Sequence, residues 1–99
     1  MDEPSDVVVR DAEASSRYEA LIDGELAGVV EYRRNASGAL LLIHTEVLPE
    51  YEGRGVASRL VHGVLADIRA RGLKFEPLCP YVVSYLERHP DEAADLLAT

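Results

Sequence analysis

The residues with most chemical potential lie in one short stretch, Gly53-Arg54-Gly55-Val56-Ala57-Ser58, with Arg59 directly after it. It connects an apolar run ending at Val47 to a segment of helical periodicity starting at Val56. The first amides of a helix have no partner inside the helix, and the helix dipole makes them partly positive. Glycines let the backbone turn sharply there and let a ligand oxygen approach without meeting a Cβ. Arg54 and Arg59 add formal positive charge. The pattern predicts a site for an anion, a phosphate or a diphosphate. A Walker-type loop would need a lysine after its last glycine, and neither Gly53 nor Gly55 precedes one. A dinucleotide fingerprint would need glycine or alanine where Ser58 stands; Glu76 does imitate the ribose-binding acid of that motif.

Other reactive groups flank this stretch. His44 and Glu46 have i, i+2 spacing on a strand and therefore share a face. Cys79 is the lone cysteine and precedes Pro80, which can open a helix, so its thiol would feel a helix N-terminus. Tyr81 and Tyr85, at i, i+4, share a face of that helix. Each also has a plain structural reading. His44 could cap a strand edge, Glu46 could be a solvated acid, and Cys79 a small buried apolar group. Tyr81 and Tyr85 could belong to the core. His44, His62 and His89 lack the local spacing of a metal site, and none is expected.

The elements that must position these groups follow from the apolar pattern. Val7-Val8-Val9 reads as a short strand and Asp11 to Ser16 as a polar loop. Arg17 to Ile22 reads as a second strand, closed by the hairpin dipeptide Asp23-Gly24. Leu26 to Arg33 follows, then the turn residues Asn35-Ala36-Ser37-Gly38, then a fourth strand over Ala39 to Val47. Its run Leu40-Leu41-Leu42-Ile43 predicts burial on both faces. Val56, Leu60, Val64 and Ile68 then recur every four residues, the stripe of an amphipathic helix, with Gly72 as its C-terminal cap. Leu73 to Leu78 is a fifth strand, Pro80 to Arg88 a helix ended by Pro90, and Asp91 to Ala98 a last short helix. Four strands, a long helix, a strand and short helices make an α+β, or mixed α/β, domain.

The chain has 99 residues, the size of one domain, with Met1 to Ser5 expected as a polar tail. A formal charge of −8 opposes nucleic-acid binding and would suit a cationic acceptor. No apolar run has the length of a membrane span, and the acidic start does not resemble a signal peptide. The expectation is a cytoplasmic protein, monomeric or weakly dimeric. The single cysteine precludes an intrachain disulfide and a multi-cysteine zinc site.

At Glu52-Gly53-Arg54-Gly55-Val56-Ala57 the chain resembles the GCN5-related N-acetyltransferase (GNAT) superfamily, whose signature is Gln/Arg-x-x-Gly-x-Gly/Ala at the start of a long helix. Glu52 departs from the Gln or Arg of that signature, and the resemblance implies that its side chain turns away and only its amide serves. His44-Thr45-Glu46-Val47, Pro77-Leu78-Cys79-Pro80-Tyr81-Val82 with Tyr85, and Arg88-His89-Pro90 are similar to the small YjdJ-type branch. The likeness spans residues 6 to 97.

The resemblance implies a GNAT fold and acetyl-CoA as co-substrate. The sheet would splay at Val47 to admit pantetheine, with Cys79 beside the thioester. Amide-forming transfer needs an acceptor amine to lose a proton, the thioester carbonyl to be polarised, and the departing thiolate to gain a proton. His44 or Glu46 would be the base. A tyrosine, Tyr81 or Tyr85, would protonate the thiolate. Cys79 would be a contact to the CoA sulfur or a transient acetyl acceptor. The acceptor would be a small-molecule or peptide amine. The same features fit a second function, an acyl-CoA-binding or protein-interaction module without turnover.

Overall fold

The computed structural model describes residues 7–98, so the expected tail at Met1 to Ser5 lies outside the described residues. Five strands form one sheet in chain order. β1 (Val7–Ala12), β2 (Arg17–Ile22), β3 (Glu25–Arg34) and β4 (Leu40–Val47) run antiparallel, and β5 (Phe75–Pro77) pairs parallel to β4. Helix α1 (Val56–Ala70) crosses back from β4 to β5, and α2 (Pro80–Arg88) follows β5. The class is α+β.

Local chemistry explains most boundaries. Asp23 and Gly24 both have positive φ, 52° and 82°, which gives the left-handed turn that matches strand twist. Helix α1 ends where Gly72 takes φ +68°; the Gly72 amide donates to Arg69 and the Leu73 amide to Ile68, closing the last turn. The expected loop over Asp11 to Ser16 forms only in its later part. β1 runs on to Ala12, and only Glu13–Ser15 turn as a 3-10 segment. Tertiary partners hold that extension. Arg10 donates to Glu19 on β2, and Asp11 accepts a 2.6 Å bond from the Tyr32 hydroxyl.

One bulge reorganises β4. Tyr32 pairs with Leu42, but its neighbour Glu31 pairs with His44, so Ile43 is the extra residue. Plain alternation would place Leu40, Leu42, His44 and Glu46 on one face. With the bulge, Thr45 and Val47 continue the face of Leu42, opposite Val30 and Gly28, while His44 and Glu46 point the other way. The expected burial of β4 on both faces is not observed. Leu40 and Leu42 are buried, whereas Leu41 and Ile43 are half-buried.

The core lies between the Leu42 face of the sheet and the helices. Leu60, Val61, Val64, Leu65 and Ile68 of α1 and Val82 and Tyr85 of α2 join Tyr18, Val30, Leu42 and Phe75 in one buried cluster. The C-terminal segment departs from the sequence expectation. Instead of a helix over Asp91 to Ala98, one 3-10 turn forms at Ala94–Leu96. Leu97 then bridges to Phe75, and the Ala98 amide donates to the Phe75 carbonyl at 2.8 Å. That pairing occupies the outer edge of β5 and outcompetes a short helix. β5 itself is shorter than the expected Leu73 to Leu78.

Candidate active site

Strand β4 outruns its neighbour. β5 pairs with it only from Leu40 to Leu42, and the amides of Leu78 and Cys79 both donate to the Leu42 carbonyl, at 3.0 and 2.9 Å. Beyond that point the parallel strands part. Both helices begin at this end, α1 after Gly55 and α2 after Cys79. Between their N-termini lies a cleft of about 260 Å³ lined by Val47, Tyr51, Glu52, Gly53, Gly55, Val56, Ala57, Ser58 and Tyr81.

The turn into α1 is built for close approach. Gly53 and Gly55 have φ of +82° and +75°, where an L side chain is strained, and a Cβ built on either would meet nothing within 4 Å. Among the described residues no side chain caps α1 at its N-terminus. The amides of Val56, Ala57 and Ser58 are the first of the helix and have no acceptor within it. They therefore present donors and partial positive charge to the cleft, whose glycine rim is exposed. These are the properties a diphosphate needs, and the open Cβ positions leave room for one.

The expected cofactor contacts Val47, Gly53, Gly55, Val56, Ala57 and Ser58 thus come together, joined by Tyr81 from α2. Arg54 and Arg59 are exposed and outside the lining. The Arg54 guanidinium lies 5.7 Å from the centre of the Tyr51 ring. Tyr51 is a lining residue that sequence reasoning missed; its hydroxyl donates to Glu25 at 3.2 Å. Only its place in the turn Pro49–Tyr51, directly before the glycines, could have signalled it. Glu52 is also in the lining, and its amide donates to the Pro49 carbonyl at 3.2 Å. That amide, expected to serve a ligand, closes the turn instead.

The proposed acid–base groups are dispersed. His44 and Glu46 are exposed on the other face of β4, with Nε2 and Oε1 3.4 Å apart. Cys79 is buried at the start of α2, and its Sγ donates to Thr45 Oγ1 at 3.3 Å. Burial pushes the Cys79 thiol up, but the Thr45 hydroxyl and the amides of Val82, Tyr81 and Thr45 favour the thiolate, and the net shift is downward. Cys79 is not among the cleft-lining residues, although the Thr45 that it touches precedes Glu46 and the lining residue Val47. Tyr85 points elsewhere. Its buried hydroxyl donates to Glu92 at 2.7 Å, and Glu92 also meets His62 of α1. Burial and the Glu92 carboxylate push the Tyr85 hydroxyl well above its ordinary value. His89 ends α2 and lies against the Tyr85 ring.

A family model described as GCN5-related N-acetyl-transferase matches residues 17–96, most of the chain. The chain belongs to this family. Among solved structures its fold is similar to a ribosomal-protein-alanine N-acetyltransferase from Brucella melitensis biovar Abortus 2308, with a TM-score of 0.52 and 22% identity. That match covers 84% of this chain but 62% of the neighbour, so the chain spans under two thirds of that protein's length. At this identity the likeness is one of fold. No curated protein sequence matches the chain.

Proposed function

We propose that this chain is an acetyl-CoA-dependent N-acetyltransferase that passes an acetyl group directly from a thioester to an amine. The observation that carries this reading is the cleft where β4 and β5 part, faced by the amides that open α1. Family membership supports acyl transfer to an amine. Acetyl-CoA supplies the acetyl group in activated form. In this reading the amides of Val56, Ala57 and Ser58 hold the diphosphate, and Val47 borders the path of the pantetheine arm. Tyr81 is the candidate to protonate the leaving thiolate, because it is the tyrosine of α2 among the residues lining the cleft. His44 and Glu46 face the other side of β4, where an amine would lose its proton as the N–C bond forms and the C–S bond breaks. The acceptor is a small-molecule or peptide amine, for which a chain of charge −8 is electrostatically suited. Cytoplasmic location and a monomeric or weakly dimeric state complete the proposal.

Thermal unfolding tests the cofactor. Acetyl-CoA at millimolar concentration raises the midpoint of the unaltered chain, and Gly55→Asp abolishes the rise by placing a carboxylate at the amides. No rise in the unaltered chain overturns the reading. The presence of Glu52 in the cleft favours one alternative, an acyl-CoA-binding or protein-interaction module. CoA binding with no acetyl transfer across a panel of amines and peptides would select it.

A further inference from the structure

We infer that Glu52 is a charge gate on the cofactor cleft: its carboxylate opposes the CoA diphosphate, weakening donor and product alike and hastening their release. The inference rests on the cofactor reading above and concerns how tightly that site holds its ligand. Among the described residues that line the cleft, Glu52 is the one that carries a formal charge. Attraction there comes from backbone amides, whose summed partial charge at a helix N-terminus is only about half an elementary charge. A full negative charge on a residue that lines the same cleft is therefore a large opposing contribution.

Nothing local requires glutamate at this position. The backbone of Glu52 is extended, with φ −65° and ψ 148°, which any residue adopts. The residue is exposed, so packing does not select a carboxylate. Its amide is already bonded to Pro49 and gives the ligand no donor in return. The neighbouring cation does not cancel it within the cleft. Arg54 lies over the Tyr51 ring, outside the lining, and Tyr51 is itself tied to Glu25.

The effect must scale with ligand charge, which separates it from a change in shape. Isothermal titration of the full chain and of Glu52→Gln with CoA and with pantetheine makes the test. Gln has the same length, and at an exposed position the variant folds. CoA should bind Glu52→Gln roughly tenfold more tightly, the scale of one removed charge at a partly solvated site. Pantetheine, which has no phosphate, should bind both proteins equally. The CoA affinity of Glu52→Gln should also fall more steeply with added salt, since its net attraction is larger. Equal CoA affinity of the two proteins overturns the gate while leaving the cofactor reading intact, as does an equal gain for pantetheine. CoA that binds neither protein at millimolar concentration overturns the cofactor reading and the gate with it.

Discussion

At the scale of single residues, Cys79 shows how environment decides between chemistry and packing. Its side chain is 4% exposed and outside the cleft lining, which suits a structural thiol. Yet four hydrogen-bonding groups around Sγ lower its pKa against the pull of burial, with the Thr45 hydroxyl the largest of them. Thr45→Val keeps the shape but removes a hydroxyl that accepts from the thiol and can donate to the thiolate once the proton leaves, so the thiol midpoint should rise. Thiolate absorbance near 240 nm, followed through a pH titration, measures it; an unchanged midpoint would discount the Thr45 contact. Direct transfer further requires that intact protein incubated with acetyl-CoA carry no acetyl group on Cys79, which mass spectrometry reads. The glycine turn was legible in the sequence because glycine type reports directly on backbone shape. The shared face of His44 and Glu46 was legible from their spacing. Which face they occupy was not, because the bulge at Ile43 has no glycine or proline to announce it. The role of the Glu52 amide was not legible for a related reason: a signature position names a residue type but not the hydrogen bonds of the 3-10 turn before it.

At the scale of elements, the contact between α1 and β1 sets how closely the helix seats on the sheet. Gly63 sits where a Cβ would lie 2.5 Å from Val9 Cγ2 and 2.8 Å from Val9 Cβ. Two effects oppose each other in Gly63→Ala. Alanine gains up to about 1 kcal/mol in helix propensity over glycine. Overpacking costs about 1–3 kcal/mol, and a branched side chain anchored on a strand cannot swing aside. The clash should win, lowering the melting temperature by several degrees for a domain of this size. Val9→Ala in the same background should restore part of the loss, and a stabilised single variant would show that the helix simply lifts. The apolar stripe of α1 revealed its buried face in advance, but nothing in the pattern marked Gly63 as a crossing point. The same limit explains β1 and the C-terminus. Arg10, Asp11, Leu97 and Ala98 take their conformations from partners on other elements, and local pattern does not encode a partner.

At the scale of the whole molecule, two carboxylates tie neighbouring elements together, one within the sheet and one between the helices, while the net charge pulls against them. Glu19, 7% exposed, accepts bonds from Arg10 on β1 and Arg17 on β2. Hydrogen bonds from Arg17, then burial, then Arg10 act on it, and the net effect holds it below the ordinary 4.5. Glu92 is likewise held low; burial acts upward, but bonds from Tyr85 on α2 and His62 on α1 prevail. A carboxyl with a depressed folded pKa contributes its stability above the unfolded value and loses it as pH falls through the folded one. From pH 7 downward the first change is different. The formal charge of −8 shrinks toward zero at the sequence pI of about 4.7, relieving self-repulsion. Stability should therefore hold or rise slightly from neutral pH to the neighbourhood of the pI, then drop steeply as Glu19 and Glu92 are protonated. Glu19→Gln should be less stable at neutral pH, because it leaves two guanidinium groups without their shared anion, and its decline in acid should be shallower. Melting temperatures of the two proteins should converge as pH falls. Parallel curves across the acid limb would mean that the carboxylate of Glu19 contributes nothing to folding beyond its shape.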